Sequence, residues 1–534
     1  MKIETDVLIV GAGPVGLALA IELGTRGVRA LIVERNHRTG ASPRAKTTNV
    51  RTRTHLRRWG IADRLAAASP FGVDYPNTMM FVTSLAGYPL ARFENAFNAS
   101  PQRSPLYPEH AQWIPQYILE SVMLERVRSL PTIDVRFDTT FRTAEQDETR
   151  VVSNIVGTDG AEMTVISRYL VGADGSRSTV RSLLGAKMEG RSGLSRNYNI
   201  IFRAPGLSTA HRHGPAVIYW QLGPKGFSAV GPMDRDDIWY FAPTGIEEGR
   251  TLSNAEAAAM IAERTGIDLP YEILSADSWV ASELLADRYA DRRIILAGDA
   301  CHLHPPFGGY GMNMGVGDGV DLGWKIAATL QGWGGPELIA SYTQERRPVH
   351  RFVIDEAVAN HAIATGPPPA QIADDTAEGA ALREKIGGNI QSTKGREFHT
   401  LGTVLGLRYE NSPLIFDEPG PPPPHDGQTY RPTARPGSLA PHAWLDDGRS
   451  LYDLFGQGFS LVVAPGAEQS QIEAAQAEAQ ALRIPLTVVR LHDAATAALY
   501  ETKLTLVRPD QHVAWRGDRW NAPLRRATGW PEPA

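Results

Sequence analysis

The segment "TDVLIVGAGPVGLALAIELGTRGVRALIVE", residues 5–34, constrains the fold more than any other part of the chain. A short apolar run stops at Gly11-Ala12-Gly13-Pro14-Val15-Gly16, resumes with helical spacing, and leads to a second apolar run that closes at Glu34. That order predicts strand, turn, helix and strand, the opening of a doubly wound α/β unit. The glycines permit a tight turn and let backbone N–H groups approach a pyrophosphate at the helix N-terminus. A carboxylate about 20 residues on can accept the ribose hydroxyls. A glycine triplet alone is a weak signal. With strand, helix and acid all in place, Gly11, Gly13, Pro14, Val15, Gly16 and Glu34 point to a bound dinucleotide.

Two further segments repeat the strand–turn–helix order: "RYLVGADGSRSTVRSLLG" at 168–185, and the one that starts "RRIILAGDA" at 292. The latter runs into "LAGDACHLHPPFGGYGMNMGVGDGVDLGWKIA", residues 296–327, where a Pro/Gly loop precedes an amphipathic helix. Such glycine density suits a loop that brings bare backbone against a ligand. Short β-type runs over 197–242 predict a mainly antiparallel sheet inserted into the nucleotide-binding unit. Residues 335–362 read as helix with a break at Pro348, and the clusters Pro367–Pro369 and Pro421–Pro424 bracket a connecting segment. Beyond about residue 440 a βαββ order predicts a small α/β domain. The expected division is 1–185 for the first part of the dinucleotide domain, including some strands of the inserted sheet. It continues with 186–290 for that sheet, 291–365 for the rest of the dinucleotide domain, 366–439 for the connection and 440–534 for the last domain.

Composition narrows the functional classes. The 534 residues carry a net charge of −5, which offers no basic footprint for nucleic acid or anionic membrane. The single cysteine, Cys301, excludes an internal disulfide and a cysteine-built zinc or iron–sulfur site, and a reducing cytoplasm is the expected compartment. Glu4 and Asp6 precede the first apolar run, where a signal sequence would be positive, and no segment approaches about 20 apolar residues, so no membrane span is expected.

At this point a resemblance becomes specific. The chain resembles the single-component FAD-dependent aromatic hydroxylases, the p-hydroxybenzoate/phenol hydroxylase family, over about residues 3–362. The three ordered fingerprints of that family match the glycine motif with Glu34, "VGADGSRSTVR" with Asp174, Gly175 and Arg181, and "LAGDACHLHPP" with Gly298 and Asp299. Arg44 in "SPRA" and Gln116 in "PQYILE" match further positions. The resemblance implies a Rossmann-like FAD domain with FAD as cofactor and NAD(P)H and O2 as co-substrates. The implied reaction is hydroxylation of a phenolic ring through a flavin C4a-hydroperoxide. It implies that Asp299 bonds the ribityl chain, and that Arg44 and Gln116 contact the phosphates and ribityl region, with Arg35 beside Glu34 in the cofactor set. Gly309, Gly311, Met312 and Asn313 would face the flavin pyrimidine edge, which becomes anionic on reduction. Pro305 and Pro306 match prolines bordering the reacting face, and Tyr310 stands where the family commonly has Gln. The Asp-Gly segment, with Arg177 and Arg181, is the expected transient contact for NAD(P)H. The last domain is similar to the thioredoxin-like appendage of the phenol hydroxylase branch. Lacking Cys-x-x-Cys, it is left with packing or homodimer contact as its use.

Alternatives stand beside this. The same fold serves polycyclic natural-product hydroxylases and Baeyer–Villiger-type oxygenases, and a flavin-binding sensor without turnover is the rival from another class. A halogenase is disfavoured because "QWIP" at 112–115 lacks the first tryptophan of that motif. His302 and His304 read as structural, and Cys301 as an apolar filler after Asp299. Lys46, Arg51, Arg53, His55, Arg57 and Arg58 form either a solvated helix face or an attractor for an anion. No carboxylate occurs from Arg44 through Ala62, so a substrate-activating base must come from elsewhere or from a tyrosine. For the ring pocket Tyr219, Trp220, Tyr240 and Phe241 alternate on the inserted sheet, with Tyr219 and Tyr240 the catalytic candidates beside Pro306.

Overall fold

The computed structural model describes residues 1–37, 45–235, 237–247, 250–362 and 368–531, without the side chains of residues 361–362. Arg44 and Pro367 lie outside them. The first apolar runs form the centre of a six-stranded sheet in the order Ala290–Asp291, Ile294–Leu296, Tyr169–Gly172, Val7–Val10, Ala30–Val33, Ile133–Arg136. All its neighbours pair in parallel except the short first edge strand. The Val7–Val10, Ala30–Val33 and Tyr169–Gly172 strands are buried at every residue, as parallel strands covered on both faces must be. From Val7–Val10 the chain proceeds to Ala30–Val33 on one side, while Tyr169–Gly172 pairs on the other. The strand end at Gly11 is therefore a topological switch point, where open α/β sheets form a ligand crevice.

Helix Gly311–Leu330 lies across helix Pro14–Thr25, and its glycines explain how closely. A Cβ on Gly315 would come 2.6 Å from the Val15 side chain, one on Gly319 2.9 Å from the Leu19 amide nitrogen, and one on Gly323 2.4 Å from the Glu22 side chain. Much of the glycine density at 311–323 therefore serves helix packing, not ligand approach.

The inserted unit is an eight-stranded sheet in the order His302–Leu303, Glu272–Ala286, Met188–Arg203, Ile238–Pro243, Gly226–Pro232, Ile218–Gly223, Met79–Val82, Pro89–Phe93. It is antiparallel except where Met79–Val82 pairs in parallel with the strand at Ile218. Helix Asn254–Thr265 covers one face; the other looks toward the start of helix Gly311–Leu330.

Two local expectations need correction. Helix Pro336–Ala362 runs straight through Pro348. Proline removes one backbone donor, but buried ion pairs from Glu345 and Arg346 and a hydrogen bond from His350 to Asp318 fasten both flanks to helix Gly311–Leu330 and hold the helical path. The connection after residue 368 contains helix Ala377–Thr393, which packs so tightly on the Pro89–Phe93 strand that a Cβ on Gly387 would lie 2.1 Å from the Leu90 carbonyl oxygen. The last domain has four strands in the order Leu486–Arg490, Phe459–Val463, Leu504–Val507, Val513–Gly517, with helices Gln469–Ala481 and Ala494–Tyr500 between them in sequence.

Candidate active site

The first glycine turn is built around close backbone contacts. Gly11 has φ +108°, and a Cβ there would lie 2.3 Å from the Ala173 carbonyl oxygen. A Cβ on Gly16 would lie 2.0 Å from the Gly11 carbonyl oxygen. Gly13 differs, because a Cβ on it would meet nothing within 4 Å. Pro14 opens the helix, where a residue without an N–H is tolerated. Glu34 accepts hydrogen bonds from the Ala12 amide (3.0 Å) and the Asn36 amide (3.0 Å), one on each carboxylate oxygen. Each oxygen keeps a lone pair for a ribose hydroxyl. Arg35 is exposed beside it.

The Asp-Gly and Gly-Asp segments meet at this turn. Asp174 accepts from Ser178 Oγ (2.5 Å) and from the amides of Thr179 (2.7 Å) and Val180 (3.2 Å), so its carboxylate caps helix Thr179–Leu183. Arg181 donates to the carbonyls of Ala300 (3.0 Å) and Ser176 (2.7 Å), which ties the second segment to the third. The guanidinium expected to meet NAD(P)H is thus spent on structure, while Arg177 is exposed. Gly298 has φ +63°, and a Cβ on it would lie 2.7 Å from Val15. Asp299 is half-buried in the turn that follows.

Behind that turn stands a buried network that sequence reasoning missed. Asp318 accepts from the Gly298 amide (3.0 Å) and Arg346 Nε (2.8 Å), and bonds His302 Nε2 (2.8 Å) and His350 Nε2 (2.9 Å). Burial opposes the charge on Asp318, but His350, Arg346 and His302 outweigh it and hold the carboxyl well below its usual range. His302 thus has a carboxylate partner that its i,i+2 spacing with His304 did not reveal, and His304 packs 4.9 Å from its ring. Burial pushes the Cys301 thiol up, as suits an apolar filler. The signal for this network was an acidic residue inside a glycine-rich helix, Asp318 in "GVGDGVDLGWK", followed by the Asp321/Lys325 pair one turn apart.

At the start of helix Gly311–Leu330, Asn313 donates to the carbonyls of Thr47 (2.9 Å) and Gly309 (2.8 Å) and accepts from the Asn49 amide (3.0 Å). Its side chain thus clips residues 47–49 to the turn and leaves only its backbone for a ligand. A Cβ on Gly311 would meet nothing within 4 Å, and Met312 is half-buried. Pro306 is exposed at the head of the Phe307–Gly309 turn, and Tyr310 is buried behind it. Gln116 accepts from the Ala45 amide (3.1 Å) and donates to Glu120 (3.0 Å), so it positions the chain that emerges after Arg44.

The sheet faces separate the aromatic candidates. Tyr240 packs in one cluster with Tyr310 and Met314, with Trp220 against it. Tyr219 and Phe241 pack in the other, with Ala257 and Ile261 of the covering helix. Tyr219 also donates to the Gly214 carbonyl. The expectation of Tyr219 as a ring-contact residue is therefore corrected: strand alternation turns it away from the side that Tyr240 shares with Tyr310. Tyr240 donates to the Val217 carbonyl (3.4 Å), and burial holds its phenol well above the usual value. Lys46 places its ammonium 3.9 Å from the centre of the Tyr240 ring. Beside them a small cavity is lined by Phe71, Tyr75, Asn77, Gln112, Trp113 and Val217.

Apart from Lys46, the basic cluster is neither a solvated face nor an anion attractor. Arg53 is buried on Glu109 (2.8 Å), and Arg57 bonds Glu109 (2.9 Å) and Asp453 (2.7 Å). Arg58 pairs with Glu22, and Arg51 reaches Gln511 and the Asp510 carbonyl (2.5 Å). His55 is buried, and desolvation pushes it well below its usual range. Arg51, Arg57 and Arg58, the last through the Pro509 carbonyl (3.2 Å), seat the last domain against the first.

The cleft fits an extended dinucleotide on its own geometry. Two helix N-termini, each with a glycine that opens to free space, meet at Val15 and the Gly298 turn, with Glu34 at the far end of the first turn. The comparisons agree. The family described as FAD binding domain matches residues 4–357, and the one described as aromatic-ring hydroxylase, C-terminal, matches 433–530. The chain is 32% identical to 2,4-dichlorophenol 6-monooxygenase of Delftia acidovorans, over 97% of this chain and 96% of that protein. Among solved structures it superposes with a TM-score of 0.91 on RebC soaked with chromopyrrolic acid and holding 7-carboxy-K252c. That likeness has 34% identity and covers 99% of this chain and 100% of the other. Aklavinone-11 hydroxylase in complex with FAD and aklavinone matches with a TM-score of 0.85 and 30% identity, over 98% and 99% of the two chains. From the three segments that meet in one cleft to both ends of the polypeptide, the chain belongs to the FAD-dependent aromatic-ring hydroxylases and is a monooxygenase that uses FAD.

Proposed function

We propose that the protein hydroxylates a phenolic ring held between the Tyr240 face of the sheet and the Gly309–Asn313 turn, with NAD(P)H and O2 as co-substrates. The observation that carries this reading is the meeting of the two faces: the Thr47–Asn49 segment is clipped to the turn by Asn313, and Lys46 before it lies on Tyr240. The chemistry that FAD supplies when bound is acceptance of hydride from NAD(P)H and activation of O2. Gly13 and Gly311 offer backbone N–H groups to its phosphates and to the ring edge that gains negative charge. Glu34 takes the ribose, Asp299 and Gln116 serve the ribityl region, and Asp318 fixes the Gly298 turn that carries Asp299. Pro306 would border the reacting face of bound FAD, and the buried aromatic residues around Tyr240 would keep water from it.

A polycyclic phenol is a second reading, favoured by the end-to-end likeness to aklavinone-11 hydroxylase. We further infer a reducing, cytoplasmic setting, consistent with the lone buried cysteine; among the described residues no helix is long and apolar enough to cross a membrane. The experiment is to purify the protein with its yellow cofactor and follow NADH and NADPH oxidation across simple and polycyclic phenols, with mass spectrometry of the products. Stimulated oxidation with one added oxygen atom is expected. Retained FAD with no stimulation by any ring would favour the sensor reading instead.

A further inference from the structure

Lys46 is a half-buried cation for which no counter-ion is found among the described residues. Desolvation is the cause that pushes its ammonium down to about 8. Its carbonyl accepts from the Ile114 amide (2.7 Å), while the next residue's carbonyl accepts from Asn313. The lysine is therefore pinned between the Gln112–Trp113 strand on one side and the head of helix Gly311–Leu330 on the other. Fully buried cations of this chain have carboxylates: Arg53 has Glu109, Lys325 has Asp321 and Glu345, and Arg508 has Asp321, Glu345 and Asp510. Lys46 has the face of Tyr240, and a cation–π contact offsets only part of the cost of removing an ammonium from water. A cation left in this condition, on the Tyr240 face proposed to hold the ring, suits a negative charge that arrives with the ligand.

We propose that Lys46 is the specificity-determining residue of the ring site and pairs with an ionised hydroxyl oxygen of the substrate, so that the enzyme selects aromatic rings able to become phenolates. This rests on the hydroxylase reading above. A ring that enters as phenolate pairs with the ammonium directly. A ring that enters as phenol gives its proton to the free amine, and the same phenolate–ammonium pair results with no other donor or acceptor required. Either route yields the electron-rich form of the ring, held at one oxygen by a charge-assisted hydrogen bond.

The test compares 2,4-dichlorophenol with its methyl ether, 2,4-dichloroanisole, which cannot ionise, by titrating the flavin absorbance of the full-length FAD-loaded protein. The unaltered protein is expected to prefer the phenol by about tenfold or more, Lys46→Met to remove that preference by weakening phenol binding alone, and Lys46→Arg to restore most of it. A phenol-to-ether ratio that Lys46→Met leaves unchanged would overturn the proposal, since a lysine that merely packs on Tyr240 would weaken both probes together. Should Lys46→Met not retain FAD, Lys46→Gln removes the charge with less loss of polarity and carries the same comparison. Failure here alongside phenol-stimulated NAD(P)H oxidation would leave the hydroxylase reading intact. Discrimination by Lys46 in a protein that no ring stimulates would sink that reading alone.

Discussion

At the scale of single residues, the cofactor turn depends on atoms that are missing. Gly11 combines a left-handed φ of +108° with a carbonyl oxygen where a Cβ would sit, so Gly11→Ala must both strain the turn and push it off Ala173. The expected cost is about 1–3 kcal/mol from the backbone conformation, with more from the clash. We expect a protein purified with much less than one FAD per chain and a lowered Tm, read from the flavin-to-protein absorbance ratio and thermal unfolding. FAD retention equal to the unaltered chain would contradict this account of the turn. Glu34 and the glycines were legible because spacing alone ties them to a strand and a helix. The division of labour between Tyr219 and Tyr240 was not. Alternation puts two neighbours on opposite faces, but which face meets the cofactor domain depends on helix Asn254–Thr265 covering the other.

At the scale of elements, the decisive contact is the crossing of helices Pro14–Thr25 and Gly311–Leu330 over Gly315, Gly319 and Gly323. Both helices present their N-termini to the cofactor cleft, so their spacing sets the cleft's width. Gly319→Val would place branched carbon against the Leu19 amide nitrogen, the Ala18 side chain and the Val15 carbonyl oxygen, at 2.9, 3.0 and 3.0 Å from its Cβ. Overpacking of this kind costs about 1–3 kcal/mol. The forecast is a weaker FAD Kd together with a lower Tm, checked by fluorescence titration and calorimetry on the same preparation. A drop in Tm with FAD affinity unchanged would show that the crossing does not gauge the cleft. The glycine-rich loop was read from sequence as a ligand approach, and Gly311 fits that reading. The helical glycines beyond it read the same way in sequence, because a glycine facing another helix and one facing a phosphate look alike until the partner is known. Pro348 carries a similar lesson, since a tertiary ion pair from Arg346 and a hydrogen bond from His350 on its flanks override a local break signal.

At the scale of the whole molecule, the last domain is wired into the cofactor domain through buried charge. Arg508 donates to Asp321 (3.0 Å), Glu345 (2.6 and 2.9 Å) and Asp510 (2.8 Å), and Lys325 completes the cluster from Asp321 (2.9 Å) and Glu345 (2.6 Å). Arg346 carries the connection onward, reaching Tyr409 at one end and Asp318 behind the Gly298 turn at the other. Removing one member of such a cluster strands the rest, so Arg508→Met should cost about 3–5 kcal/mol. The domain would then release from its seat, which limited proteolysis and a lowered Tm would reveal. A variant as stable and as protease-resistant as the unaltered chain would show that the cluster is dispensable. Packing, one of the two uses expected of this domain, is what the structure displays.

The order of apolar runs, the glycine positions and the acid at Glu34 determined the α/β class and the dinucleotide turn, because those signals act through nearest neighbours along the chain, whereas the inserted sheet also draws Met79–Val82, Pro89–Phe93 and His302–Leu303 from outside 186–290. The pairing of buried charges, the face that Tyr240 presents and the isolation of Lys46 were decided only by tertiary structure. Whether a charge is costly depends on which groups share its burial, and those groups are brought from distant stretches of chain by the fold itself.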